Sequence, residues 1–258
     1  MTPTSRTNMR ILIGASSFAD AQAALRIARN MLAGPTGQLG GLLIEDETLR
    51  SICHCPNQRV ISASGTLIYL PSPTQIRTMM NADAQAFRRR LAEIAAPSTS
   101  RWTFEQGAGD LVESSLKSGQ DWDILIFGYR ALHPVPGKIV VFENTTTAHT
   151  EAVAMGEVLA DQFKAQTVVY RIGADTPPQA EQGQIAARHF VTLQAALAQL
   201  ARINAQAVVI DLARGPVRSS DQVKALLNAS RCPIVILNSS SAEPALEHNV
   251  QIPQPPDG

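Results

Sequence analysis

The stretch DWDILIFGYR, residues 121–130, decides the fold that this sequence predicts. Its centre, residues 124–127, is four apolar residues in a row, which is too short for a helix and apolar on both faces. Such a run is typical of a central strand in a parallel sheet with helices on both sides. The strand ends at Gly128, where the missing Cβ atom permits a sharp turn or the close approach of a ligand.

Short apolar runs alternate with amphipathic runs on both sides of this stretch. The residues expected in the core include Ile11, Ile44, Ile126, Val140 and Val209. Strands are predicted at residues 9–13, 39–44, 102–105, 124–127, 138–142, 168–172, 188–191, 208–210 and 234–237. Helices are predicted in the other intervals, but not between residues 127 and 138 or between residues 172 and 188. Ser17, with Asp20 as its capping-box partner, and Asp110 are predicted helix caps. The alternation predicts an α/β fold with doubly wound, mainly parallel sheets.

The second part of the chain repeats the first. KIVVF at residues 138–142 matches the character of RILIG at residues 10–14, an offset of 138 − 10 = 128 residues. The first copy lacks a closing helix and fifth strand, whereas the second lacks a counterpart of the long helix that Ser72-Pro73 opens. We therefore predict two tandem, incomplete units at 1–137 and 138–238, followed by a disordered tail at 239–258.

Composition narrows the class of partner. The 258 residues contain 22 basic and 22 acidic side chains, so no long-range field favours nucleic acid or an anionic membrane. Three cysteines form no disulfide framework and fit a reducing compartment. The first residues lack the apolar core of a signal peptide, and no apolar run reaches membrane-spanning length. These features predict a cytoplasmic protein that binds neither nucleic acid nor membranes.

Two local motifs resemble the universal stress protein family. Gly109-Asp110 with the following DWDILIFG is similar to that family's passage into its fourth strand, and RCPIVI at residues 231–236 is similar to the entry to its last strand. The resemblance covers roughly residues 9–130 and 138–238. It implies a fold of the adenine nucleotide alpha hydrolase-like type and a homodimer, in which the final strand of the second copy is a candidate to pair with a symmetry mate.

The resemblance also allows ATP binding to be judged from the sequence, because the ATP-binding branch of the family carries the motif Gly-x2-Gly-x9-Gly-Ser/Thr after its fourth strand. Gly128 matches the first glycine of that motif, but Ala131 and Val141 stand at the other two. The family's acidic residue at the first strand tip is replaced by Gly14-Ala15, and the connection after Asp211-Leu212 is too short for the loop. We expect no cofactor and an ATP affinity weaker than about millimolar. The alternative is a protein that binds ATP or AMP through an atypical phosphate loop.

Ligands of doubly wound sheets bind beyond the carboxyl ends of the strands. Small residues at these ends in the first copy would leave room for a ligand, Arg130 could meet an anion, and Tyr129 could stack on a flat ring. The candidate ligand-binding residues are Gly14, Ala15, Ser16, Glu45, Gly107, Gly128, Tyr129 and Arg130. In the second copy the polar tip at residues 143–147 could hold a ligand or begin a capped helix, and the capped helix is favoured.

Other chemistry-bearing groups have simpler explanations. Cys53-His54-Cys55 lacks the usual two-residue zinc spacing and a second ligand pair, so no metal is expected. Ser16, Ser17 and Asp110 fit helix caps better than a nucleophile and its base. The Arg88-Arg89-Arg90 run fits a solvated face rather than a phosphate site.

Three functions from different classes stay open on the sequence alone. The favoured one is a non-enzymatic binding or regulatory protein of the stress response, acting through an unidentified protein partner or small ligand. The second is the atypical ATP or AMP binder. The third is a hydrolase or transferase on the same fold, which the order of elements alone does not exclude.

Overall fold

The computed structural model describes residues 9–32, 37–45, 59–61, 67–69, 72–98, 101–129, 137–145, 150–173 and 186–238. The first half comprises β1 (Met9–Ala15), α1 (Phe18–Met31), β2 (Gly37–Glu45), β3 (Arg59–Ile61), β4 (Leu67–Tyr69), α2 (Pro73–Ala95), β5 (Arg101–Ala108), α3 (Leu111–Ser118) and β6 (Ile124–Phe127). The second half comprises β7 (Lys138–Asn144), α4 (Glu151–Phe163), β8 (Gln166–Ile172), β9 (Ala186–Phe190), α5 (Leu193–Leu200), β10 (Ala205–Asp211), α6 (Ser220–Ser230) and β11 (Ile234–Leu237). Three segments lie mostly or wholly outside the described residues: the predicted tail at 239–258, the link between the halves, and the β8–β9 connection. The sequence predicts that this last connection lacks a long helix.

Both halves contribute to one sheet. In the described part of the chain this sheet has nine strands in the order β5-β2-β1-β6-β11-β10-β7-β8-β9, and β3 and β4 form a separate antiparallel pair. Neighbouring strands of the large sheet are parallel except for β6 and β11. Each half is doubly wound, because the chain reverses its direction across the sheet between β1 and β6 and again between β7 and β10. The predicted fold class is confirmed.

Helices cover both faces of the sheet. Apolar side chains of α1, α2 and α4 pack on one side of the sheet, and those of α3, α5 and α6 pack on the other. Successive strand residues alternate between these layers, as Ile11 and Leu12 do. The five residues predicted for the core are all buried. No helix in the described ranges is both long and apolar enough to cross a membrane.

The two halves join through β6 and β11. These strands run antiparallel, with Ile124 opposite Leu237 and Phe127 opposite Ile234. The open edge predicted for the first copy is thus covered by the last strand of the same chain. The expectation that β11 pairs with a symmetry mate is wrong, because β10 occupies its other edge. A further link between the halves is Lys224 of α6, whose Nζ lies 3.2 Å from Asp110 Oδ2 and 2.7 Å from Glu113 Oε1.

The N-terminal cap of α1 places that helix directly after β1. The Ser17 hydroxyl oxygen accepts a hydrogen bond from the Asp20 amide at 3.1 Å, as predicted. The Asp20 carboxylate accepts from the Ser17 hydroxyl at 2.6 Å instead of closing a capping box on the Ser17 amide. The first turn of α1 is therefore held at the carboxyl edge of the sheet, beside the candidate ligand residues.

Candidate functional site

The candidate residues of the first half lie at one edge of the sheet. The Gly128 amide donates to the Gly14 carbonyl oxygen at 2.8 Å, which joins the ends of β6 and β1. On the other side of β1, Ile44 of β2 lies opposite Gly107 of β5 in register. The carboxyl ends of four neighbouring strands thus meet as the doubly wound fold requires. Arg130 lies outside the described residues.

The space at two of these glycines is filled by helices. A Cβ atom on Gly128 would lie 2.7 Å from the Asp20 carbonyl oxygen and 3.1 Å from Ala21 Cα, both in the backbone of α1. A Cβ atom on Gly14 would collide with the side chain of Ser115 in α3. At these two positions the space on the Cβ side of the glycine is therefore occupied by atoms of a helix. Both glycines allow a helix to pack closely on the sheet.

The equivalent edge of the second half carries two buried acidic residues. Glu143 ends the apolar part of β7 and Asp211 is the last residue of β10, and each is only 2% exposed. These two strands flank the point at which the chain reverses its direction across the sheet. From the sequence, Glu143 is predicted as part of a polar tip and Asp211 only as the end of a strand.

Glu143 anchors the start of α4. Its Oε1 atom accepts hydrogen bonds from the hydroxyl of Thr150 and, at 3.2 Å, from the Thr150 amide; Thr150 is the N-cap residue of this helix. Arg171 Nε lies 3.9 Å from Glu143 Oε2. This arrangement supports the favoured interpretation of the polar tip as the beginning of a helix.

Asp211 holds the turn that follows β10. Its Oδ1 atom accepts from the amides of Ala213 at 2.8 Å and Arg214 at 3.1 Å. Within the described residues Oδ2 of Asp211 and Oε2 of Glu143 have no hydrogen-bond partner. The backbone amides after β10 therefore bind a carboxylate of the chain itself, and two further carboxylate oxygens lie buried at the same edge.

A cavity of about 1040 Å³ lies where the two halves meet. We call it the junction cavity. The first half contributes one side of α1, including Phe18 and Gln22, together with Tyr129 after β6. The second half contributes residues at the end of α4, after α5 and between α6 and β11, including Cys232. Among its described lining residues, Tyr129 is the one predicted from the sequence as a ligand contact.

The charge that lines the junction cavity has one sign. Its described lining contains four arginines, Arg26, Arg90, Arg202 and Arg231, and neither aspartate nor glutamate. Arg90 Nη1 pairs with Glu93 Oε2 at 2.7 Å. Arg88 and Arg89 are exposed, as predicted for their run, whereas Arg90 is half-buried beside the cavity. No sequence motif signals this site, because its arginines come from four separate parts of the chain.

The one cysteine in the described ranges, Cys232, has a buried thiol of low reactivity. Cys232 is 3% exposed. Burial raises the pKa of its thiol to about 12, against a smaller opposing effect of a hydrogen bond with Ser230. Since the thiolate is the nucleophilic form of cysteine, this side chain stays protonated and unreactive at neutral pH. Cys53, His54 and Cys55 lie outside the described residues.

The strand order and the antiparallel contact between β6 and β11 define a tandem, doubly wound α/β protein whose two units share one sheet. No family model and no curated protein matches the chain by sequence. Among solved structures, the chain is similar to a universal stress protein from Archaeoglobus fulgidus DSM 4304, with a TM-score of 0.49 and 10% identity over 88% of this chain and 95% of that chain.

Two other solved structures illustrate the range of these similarities. A functionally unknown protein from Pseudomonas aeruginosa PAO1 gives a TM-score of 0.48 and 11% identity over 91% of this chain and 95% of that one. The cytoplasmic domain of a prokaryotic cation chloride cotransporter gives a TM-score of 0.38 and 11% identity over 92% of this chain and 98% of that one. Universal stress proteins, the family that the sequence motifs resemble, are thus among the structural matches. At such identities, function has to be argued from the residues of this chain.

Proposed function

We propose that this chain is a non-enzymatic binding and regulatory protein of the universal stress protein type that does not hold ATP through a phosphate loop. The observation that carries the proposal is the state of the two strand-end crevices. Helix packing fills the first at Gly14 and Gly128, and the buried carboxylates of Glu143 and Asp211 lie at the second. The role in a stress response and a cytoplasmic location are parts of this proposal that rest on the sequence.

Three described backbone amides at the two crevices already have acceptors within the chain. A phosphate loop works because several amides converge on the anion. Here the Gly128 amide donates to Gly14, and the amides of Ala213 and Arg214 donate to the Asp211 carboxylate. Each charge-assisted hydrogen bond that ATP fails to make is worth about 1.5–3 kcal/mol. A phosphate charge about 4 Å from a carboxylate would add a repulsion of about 1–4 kcal/mol.

Binding is favoured over catalysis by the partners of the polar groups. Glu143 bonds to a helix cap and Asp211 to a turn, so their accepting oxygens have structural partners rather than a serine or cysteine nucleophile. The protonated thiol of Cys232 gives no nucleophile either. We also propose self-association and control by a protein partner or small ligand. The self-association would use a surface other than the edges of β11, which are both occupied.

Titration calorimetry with ATP, ADP and AMP in excess magnesium tests the proposal. We expect affinities weaker than about millimolar for all three nucleotides. A Gly128→Val variant is unsuitable as a probe, because its side chain would collide with the backbone of α1 whether or not a ligand binds there. Glu143→Gln is the better probe of the second crevice, since it keeps the shape of the side chain. Micromolar, magnesium-dependent ATP binding that Glu143→Gln alters would reject the proposal in favour of the atypical nucleotide binder.

A further inference from the structure

We propose that the junction cavity binds a small, metal-free polyanion that carries phosphate or carboxylate groups. This inference rests on the proposed function only in taking the protein to act by binding. It assigns the ligand to a place where the two halves meet, and not to either strand-end crevice. No motif in the sequence marks this place.

Charge is the first observation behind the assignment. The whole chain has no net formal charge, yet four guanidinium groups and no carboxylate line the described part of this cavity. Within the described residues Arg26, Arg202 and Arg231 make no ion pair, in contrast to Arg90. Arg26, Arg202 and Arg231 are exposed to solvent, so an anion bound among these positive charges would gain an attraction that salt screens. The planar fork of arginine matches phosphate and carboxylate oxygens in pairs.

The backbone at Arg231 is the second observation. Arg231 ends α6 with φ 50° and ψ 26°, in the left-handed region where glycine is the usual residue. An arginine there retains a long cationic side chain at a position whose backbone favours glycine. Lys164 ends α4 in the same region, at φ 51°, but does not line the cavity. The two residues form a matched pair in which only one is placed to bind an anion.

The lining also sets the expected effect of magnesium. Magnesium prefers oxygen ligands, with carboxylates the usual ones from protein. The described lining of the cavity offers arginines instead, so a bound magnesium ion would neutralise the anion that they attract. Binding should therefore be strongest without the metal, whereas typical nucleotide phosphate sites bind the anion together with magnesium.

Titration calorimetry of the full chain with inorganic pyrophosphate, in low-salt buffer free of divalent ions, tests the inference. We expect one site per chain, weakened by added salt and by excess magnesium. Arg231→Gly and Arg202→Ala should each lower the affinity about tenfold or more. Lys164→Gly and Arg29→Ala remove comparable charges from α4 and α1 outside the cavity and should leave the affinity unchanged. Citrate, titrated in parallel, shows whether carboxylate groups are accepted as well as phosphate.

Thermal unfolding provides the control for folding. Arg231→Gly and Lys164→Gly both relieve a left-handed backbone, so both variants should melt at or above the temperature of the original protein. Loss of binding in the first and retention in the second would then be an effect of the cavity. Absence of binding by both probes would overturn the inference, and so would binding that Arg231→Gly and Arg202→Ala leave unchanged. Micromolar ATP binding that requires magnesium and survives both variants would reject the proposed function without touching this inference.

Discussion

Replacing Gly128 with alanine distinguishes a glycine that packs a helix from a glycine that admits a ligand. The added Cβ would lie 2.7 Å from the Asp20 carbonyl oxygen, 2.9 Å from its carbonyl carbon and 3.1 Å from Ala21 Cα. All three atoms belong to the backbone of the first turn of α1. Because a backbone cannot rotate away as a side chain can, either α1 or the end of β6 has to shift.

The cost follows from two opposing effects. Overpacking of a well-packed interior typically costs about 1–3 kcal/mol. Alanine also restricts the unfolded chain more than glycine does, which returns about 0.4–1 kcal/mol. We therefore expect Gly128→Ala to lower the free energy of unfolding by about 1–2 kcal/mol. At about 2–4 °C per kcal/mol for a chain of roughly this size, the melting temperature should fall by about 2–8 °C.

Gly107→Ala is the matched control at the same edge of the sheet. Its nearest neighbour would be Ile44 Cδ1 at 3.1 Å, the flexible end of a side chain. We expect its free energy of unfolding to stay within about 0.5 kcal/mol of the original. Urea unfolding followed by circular dichroism measures both variants. If Gly128→Ala is as stable as Gly107→Ala, the space at Gly128 is open and the first crevice becomes a ligand site again.

Two further predictions concern single buried groups. Asp211→Ala should lower the free energy of unfolding by about 2–4 kcal/mol in urea, because the amides of Ala213 and Arg214 lose their acceptor, whereas Asp211→Asn keeps one accepting oxygen and should lose clearly less. Equal losses in the two variants would contradict this account. In a Cys53→Ser/Cys55→Ser background, Cys232 should resist thiol reagents at pH 8 until the chain is unfolded, since burial raises its pKa to about 12. Rapid reaction of the native protein would show that the thiol is accessible.

The central strands could be predicted closely from the sequence, and the edge strands less well. β6 and β11 have the predicted bounds, because a short apolar run between turn residues has few alternatives in a parallel sheet. The strand predicted at 102–105 extends over Arg101–Ala108, and most of its side chains are exposed. The length of an edge strand depends on its backbone hydrogen bonds to the neighbouring strand. The pattern of its own side chains therefore says little about where it begins and ends.

The site was harder to predict because it depends on contacts between distant parts of the chain. The predicted edge of the sheet is correct for Gly14 and Gly128. The space that a Cβ atom would take is occupied by Ser115 at Gly14 and by the first turn of α1 at Gly128. Nothing local to either glycine separates such packing from room for a ligand. The same holds for the arginines of the junction cavity, which become neighbours only when the sheet is complete.

In the described part of the chain, β6 of the first half and β11 of the second are direct neighbours beside the junction cavity. Because β6 meets β11 directly and antiparallel, the carboxyl end of β6 lies beside the amino end of β11. Arg26 and Arg90 from the first half thereby come to line one cavity with Arg202 and Arg231 from the second. One additional strand would separate the two sides by about 4.8 Å. That exceeds the length of a charge-assisted hydrogen bond, about 2.7–2.9 Å, so an anion held from one side would lose its contacts on the other. The proposed anion site would therefore need contacts from both halves of the chain.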